Sequence, residues 1–349
     1  MTMIPHSRPF LDEEDYRGVL DVLKSGQLVQ GDRVAAFEDD FCRKINLPGA
    51  VAVSSGTAAL HLALLSLGVG PGDEVILPSY VCTALWHAVR YTGATPVPAD
   101  IEADTFNLSA LDIMPRLTKN TKAIIVAHMY GQSADIDSLL KLGVPIIEDC
   151  AQSLGSHYRS QPTGTFGTAA IFSFYATKVI ATGEGGMVVS RDGNLIDIIR
   201  DMRDYDEKDT LATRFNYKLT DLQGSLGMSQ LKKLPAFIAR RQDIARRYDR
   251  VLRDAGLPAP IIKPDRDHSY FRYVFLLDTM DRFINDMGRQ GIACRRPVFR
   301  PLHDYMGQTG FEVTNQVWRH AVSVPIYPGL RDEEVETIVF HMQRSLFNR

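Results

Sequence analysis

Apolar positions change period several times along this 349-residue chain. In "LDEEDYRGVLDVLKSG", Tyr16, Val19, Leu20 and Leu23 fall at helical spacing behind a cluster of acids, and Gly26 closes the run. This predicts an amphipathic surface helix. From residue 49 to about 150 the pattern becomes strand, turn, helix, repeated. "AVAVSS", "DEVILP", "ATPVPAD", "TKAIIVAHMYG" and "GVPIIEDC" predict strands, with helices in "GTAALHLALLSLG" and "TALWHAVRYTG". The first of these helices is apolar nearly all round and is therefore expected to be buried. Strands apolar on both faces and separated by helices describe a parallel sheet covered on both sides. "TAAIFSFYA" and "GGMVVS" lie too close together for a crossover helix, so they predict an antiparallel pair.

Two long helices are expected next, around 219–234 and 236–255. After the proline-rich "PAPIIKPDRD" the composition shifts, with strands expected near 270–277 and 292–299. The last helix, "RDEEVETIVFHMQRSL", carries Val335, Ile338, Val339 and Met342 on one face. The expected architecture is α/β: a large domain over residues 1–255, with a mostly parallel sheet flanked by helices, and a smaller C-terminal α+β domain over 256–349.

Composition adds mainly exclusions. Hydrophobic residues make up 45% and charged residues 23%, an ordinary globular balance. A net charge of −3 with no long basic run gives no reason to expect a nucleic-acid partner. Cys42, Cys82, Cys150 and Cys294 are scattered, without zinc-site or disulfide-framework spacing, so no metal is expected. "MTMIPHSRPFLDEEDY" lacks the apolar core of a signal peptide, and "TAALHLALLSLG" is too short to span a bilayer. The expectation is a cytoplasmic protein that does not enter membranes.

Parallel sheets place ligand sites outside the carboxyl ends of their strands, and four strand ends here carry unusual residues. In "SSGTAAL", Gly56 and Thr57 mark a strand-to-helix turn whose free amides can face an anion; an ordinary N-cap by Ser55 or Thr57 is the competing reading. "VPIIEDCAQS" delivers Glu148 and Asp149 to the sheet edge, either as a turn aspartate or as a partner for a cationic ring nitrogen. "FSFYATK" puts Ser173 in a strand and Lys178 just beyond it. A lysine in apolar surroundings has a lowered pKa and can add to a carbonyl as the free amine. His128, ending "TKAIIVAH", reads as a hydrogen-bonded core histidine and is left without a role. An anion cradle, a buried carboxylate and a nucleophilic lysine on one sheet edge are the three requirements of pyridoxal 5'-phosphate.

These segments resemble the sugar aminotransferases of the DegT type, which are fold type I pyridoxal-phosphate enzymes. The resemblance runs over nearly the whole chain and is carried most specifically by "IIEDCAQSLG", "SFYATKVIATGEGGMVV" and "FNYKLTDLQ". It implies that Lys178 forms the Schiff base and carries the proton, and that Asp149 keeps the pyridine nitrogen protonated. Gln152 would lie near the ring hydroxyl, and Gly56, Thr57 and Ser173 would bind the phosphate. Asn216 would reach the partner's phosphate across a homodimer interface. The implied reaction passes an amino group from glutamate to a keto-sugar nucleotide. A lyase, a dehydratase or a non-sugar aminotransferase on the same scaffold, or a cofactor-binding regulator without turnover, are the alternatives; related dehydratases carry histidine where Lys178 stands.

Three positions depart from the family pattern. Cys82 occupies the place of an aromatic residue that stacks on the cofactor ring, so either Cys82 packs there or Tyr80 or Trp86 supplies that face. Lys218 replaces an arginine, which is not a neutral change where a bidentate contact is made. The stretch "RDYDEKDTLATRFNYK" is short. The "GEGG" glycines are expected to leave room for cofactor and substrate. In "RRPVFRPLHDY", Arg295, Arg296, Arg300 and His303 are candidates for a donor carboxylate or a diphosphate, against a solvated basic strand.

Overall fold

The computed structural model describes residues 3–347. Seven strands build the central sheet: β1 (Gly49–Val53), β2 (Glu74–Pro78), β3 (Thr95–Ala99), β4 (Thr121–Ala127), β5 (Ile146–Asp149), β8 (Ala169–Ser173) and β9 (Gly186–Ser190). A short hairpin of β6 (His157–Tyr158) and β7 (Gln161–Pro162) lies between β5 and β8. The order is β1-β9-β8-β5-β4-β2-β3. Pairings from β8 through β3 are parallel, while β9 is antiparallel to both its neighbours, as the short connection required. Two reversals leave β1 running with β8, so β1, β2, β4, β5 and β8 all end on the same edge.

Alternation along the strands divides the core. Val51, Val53 and Ile171 pack on one face with the helix Gly56–Ser66, of which residues 58–64 are all buried. Ala50, Ala52 and Phe172 face the other side with Phe37, Phe41, Leu231 and Leu234. The N-terminal helix Glu13–Ser25 begins in a capping box on Asp12 and ends at Gly26, whose φ of 76° is the left-handed conformation glycine adopts freely.

Residues 221–254 form one continuous helix, not two, with Pro235 inside it. Proline forfeits one backbone hydrogen bond and disturbs the preceding turn. Tertiary packing outweighs that cost here: Leu231, Leu234 and Phe237 are fixed in one core, and Ile244, Tyr248, Val251 and Leu252 in another. The second core also takes the antiparallel pair β10 (Tyr273–Leu276) and β11 (Ala321–Val324) and the last helix, Asp332–Phe347. On that helix Val335, Ile338 and Met342 are buried and Val339 half-buried. The expected strand at 292–299 is absent; Ile292 and Arg295 make isolated bridges to Ile4 and Ser323. Pro297 and Pro301 remove backbone donors there, and β11 is the strand that pairs with β10. No helix among the described residues is long and apolar enough to cross a membrane.

Candidate active site

Strand ends bring the candidate residues together. Asp149 closes β5 and is opposite Ile171 of β8, so Ser173, at the end of β8, lies one pleat further along the adjacent strand. After β8 the chain turns tightly, with the Lys178 amide donating to the Tyr175 carbonyl at 2.8 Å and the Ala176 amide to Gly183. Glycines 183 and 185 take positive φ values of 86° and 154° in this return. Gly186 is required on different grounds, because a Cβ on it would sit 2.4 Å from the Ser55 carbonyl oxygen. The "GEGG" glycines therefore serve the turn and the close approach of β9 to the β1 end, and the space beside Gly183 is open.

Asp149 is buried, and among the described residues only its Oδ1 has a partner, accepting from the Ala151 amide at 2.9 Å. Burial raises its carboxyl above the ordinary range, against the Ala151 amide and the Lys178 charge. The ammonium of the half-buried Lys178 has no hydrogen bond or ion pair among the described residues; its Nζ lies 5.1 Å from the centre of the Phe271 ring. Burial pushes its ammonium pKa down, opposed by Cys82 and Asp149 and assisted by Arg272. Cys82 is open to solvent but walled by protein, and that confinement raises its thiol, with Lys178 opposing and Asp149 adding. Of the three side chains weighed for the ring face, only Cys82 joins Lys178 and Asp149. Tyr80 is buried against Phe106 and Tyr130, and Trp86 packs beside Arg90 and His87.

At the β1 end, Ser55 caps the helix Gly56–Ser66 through the Ala58 amide at 3.0 Å. That leaves the Gly56 and Thr57 amides and the Thr57 hydroxyl without partners among the described residues, beside the positive end of the helix dipole. A Cβ on Gly56 would lie 2.8 Å from the Ser173 Cβ, so glycine is what lets these two donors converge. Gln152 accepts from the Tyr130 amide at 3.1 Å, and among the described residues its amide nitrogen has only the Met129 sulfur at 3.9 Å. Asn216 is exposed and its side chain makes no hydrogen bond among the described residues.

Behind this edge stands a braced carboxylate. Glu148, fully buried, accepts from His128 Nε2 at 2.9 Å and from the Gly164, Phe166 and Gly167 amides at 2.7–2.8 Å. The Ala134 amide donates to His128 Nδ1 at 3.1 Å, which fixes the proton on Nε2. Burial would raise the Glu148 carboxyl, but His128 and the glycine amides outweigh it and hold it below the ordinary range. His128, Glu148 and Cys150 lie close enough for a metal, yet both Glu148 oxygens and both His128 nitrogens are committed to these hydrogen bonds.

Of the basic C-terminal candidates, Arg296, Arg300 and His303 fall outside this group. His303 is buried, bonded to Ser79 Oγ at 2.7 Å and stacked on Phe311, so it is not available to substrate. Arg296 donates to the Trp318 carbonyl and pairs with Asp281, and the exposed Arg300 bonds the Asp304 carbonyl and lies over Tyr305. Lys218 is neutralised by Asp204 at 2.6 Å and Asp206 at 3.0 Å. Sequence reasoning passed over Arg272 and Phe271, which stand beside Lys178. Their only signal was an arginine inside the aromatic-apolar run "YFRYVFLL".

The site suits pyridoxal 5'-phosphate on the structure's own terms. Among the described residues, one oxygen of the buried Asp149 carboxylate lacks a partner that a ring N–H would supply, unpaired amides meet at a helix start, and a lysine with a lowered pKa makes no ion pair. A model of the DegT/DnrJ/EryC1/StrS aminotransferase family matches residues 9–343. The chain is similar to the GDP-perosamine synthase of Vibrio cholerae, at 34% identity over 96% of this chain and 97% of that one. It is also similar to the crystal structure of the aminotransferase TlmJ from Streptoalloteichus hindustanus, at 31% identity and a TM-score of 0.94 over 99% of each chain. It is similar as well to the PLP form of Spr1654 from Streptococcus pneumoniae, assigned as a sugar aminotransferase, with a TM-score of 0.92 at 29% identity over 99% of both chains.

Proposed function

The chain belongs to the DegT/DnrJ/EryC1/StrS aminotransferase family, and from that premise we propose that it moves an amino group from glutamate to the keto group of a nucleotide-linked sugar. It is a pyridoxal 5'-phosphate-dependent aminotransferase. When bound, the cofactor supplies an aldehyde that takes up and releases the amino group, and a ring that draws electrons from the carbon bearing it.

The chain's own residues do the rest in this reading. Gly56 and Thr57, with Ser173, hold the phosphate at the helix start. Asp149, ionised once a ring N–H completes its shell, keeps the ring nitrogen protonated. The Gln152 amide nitrogen, poorly satisfied by the Met129 sulfur, turns toward the ring hydroxyl. Lys178 would hold the cofactor through Nζ and, as a free amine, would accept and return the proton of the reaction. Cys82 covers the opposite face as a small apolar group. Asn216, exposed and unbonded, completes the partner's phosphate site in a homodimer.

The observation that carries this reading is the convergence of Lys178, Asp149, Gly56 and Ser173 at one sheet edge. It is tested with a panel of keto-sugar nucleotides and glutamate, read as 2-oxoglutarate formed and as amino-sugar product by mass. Product with at least one keto-sugar nucleotide supports it. Conversion of glutamate with no amino transfer to any sugar would remove the sugar assignment, and no conversion of glutamate would remove the donor.

A further inference from the structure

We propose that Arg272 binds the α-carboxylate of the amino donor, and that Arg295 adds the charge that favours a dicarboxylic amino acid over a neutral one. The proposal rests on the aminotransferase reading above.

Three observations carry it. Neither guanidinium has a hydrogen bond or ion pair among the described residues. Their basic neighbours are committed: Arg266 to Asp265 and the Ser133 carbonyl, Arg241 to the Tyr270, Phe271 and Ile326 carbonyls, Arg296 to Asp281. Two uncompensated like charges repel each other, so the pair is best accounted for by an anion that both can meet.

Register places the two arginines together. Val274 pairs with Ser323 across β10 and β11, and Arg272, two residues earlier, leaves on the face that carries Ser323. Arg295 bridges Ser323 from that strand's other edge. The buried His6 bonds Ser323 Oγ at 2.9 Å; burial, then Arg272 and Arg295, push its pKa down to about 2, so it adds no third charge.

Phe271 ties this face to the reacting centre. Lys178 Nζ is 5.1 Å from its ring centre and the Arg272 guanidinium carbon 4.6 Å. A guanidinium stacked on a ring keeps its planar fork free for a carboxylate. An α-amino acid bears its carboxylate on the carbon whose amino group is transferred, which is the spacing this geometry serves. A keto sugar has no carboxylate, and the cofactor phosphate is accounted for at the Gly56 end.

The probes are glutarate and butyrate, a dicarboxylate and a monocarboxylate without an amino group, titrated calorimetrically into the holoenzyme. Arg272→Gln is expected to weaken both by roughly 10- to 100-fold, the usual loss for a charge-assisted bidentate contact. Arg295→Gln is expected to erase the preference for glutarate and leave butyrate unchanged. In steady state the Arg272→Gln donor KM rises and the acceptor KM does not. Arg272→Lys keeps a cation in place should Arg272→Gln fold poorly, and is expected to weaken both probes by a smaller factor. Wild-type affinity for both probes in Arg272→Gln and Arg272→Lys would overturn the proposal, as would a wild-type enzyme that binds neither. A wild type that binds glutarate through Arg272 but forms no 2-oxoglutarate from glutamate would instead refute the donor reading and leave this subsite standing.

Discussion

Glu148→Gln and Asp149→Asn change adjacent residues by the same chemical step, yet the structure predicts opposite effects on the apo-protein. Glu148 receives four donors, two on each oxygen. A glutamine keeps one acceptor oxygen and turns an NH₂ against two of them. Reversing the His128 tautomer does not help, because Nδ1 is held by the Ala134 amide. Two orphaned buried donors at about 1–3 kcal/mol each give a loss of about 2–6 kcal/mol, a large share of typical stability. For a chain of this length that lowers Tm by about 3–8 °C. Among the described residues Asp149 has a single donor on one oxygen, and burial raises its carboxyl, so ionising it costs the folded apo-protein stability. Asparagine cannot ionise, so apo stability is unchanged or higher while cofactor retention and turnover collapse. The pH dependence separates them further. The depressed Glu148 pKa contributes stability present above the unfolded value of 4.5 and lost as pH falls through the folded pKa. Asp149, shifted the other way, costs stability as pH rises from the unfolded value of 3.8 through its folded pKa. Calorimetric melts of cofactor-stripped proteins from pH 4 to pH 8, with cofactor absorbance on reloading, are the assay. An Asp149→Asn apo-protein destabilised as much as Glu148→Gln, or a Glu148→Gln Tm equal to wild type, would refute this reasoning.

Two further variants probe the frame around the site. Gly56→Ala drives a methyl group into Ser173, and overpacking of that kind costs about 1–3 kcal/mol; cofactor affinity measured by absorbance should fall more steeply than Tm, because the displaced atoms are those proposed to hold the phosphate. Arg203→Ala breaks the buried pair with Glu38 and a 2.8 Å bond to the Ala52 carbonyl of β1. It leaves a half-paired carboxylate against the strand, and a loss of about 3–5 kcal/mol in denaturant titration is expected.

Much of the fold was readable because each β-to-α change of period is written in the apolar pattern. "TKAIIVAH" and "VPIIEDC" are apolar on both faces since helices cover both, and the close spacing of "AAIFS" and "GMVVS" left no room for a crossover. The same logic made Lys178, Asp149, Ser173 and Gly56 visible, because a parallel sheet exposes only its strand ends. Pro235 misled because propensity is local, whereas that helix is held by two cores at once. His303 looked like a ligand for want of any sign of Ser79, 224 residues away, which occupies its ring nitrogen. Arg272 was hidden for the converse reason. An arginine in "YFRYVFLL" looks like any solvated edge residue until the structure shows it stacked on Phe271, the ring that Lys178 also approaches, with no ion pair among the described residues.

The central claim is that Lys178 is the residue that holds the cofactor. Borohydride reduction of the purified holoenzyme, followed by proteolysis and peptide mass mapping, tests it most directly. The account predicts a single pyridoxyl adduct, located on the peptide containing Lys178 and lost in Lys178→Ala. An adduct on a different lysine, or none in protein that carries the cofactor absorbance, would contradict it.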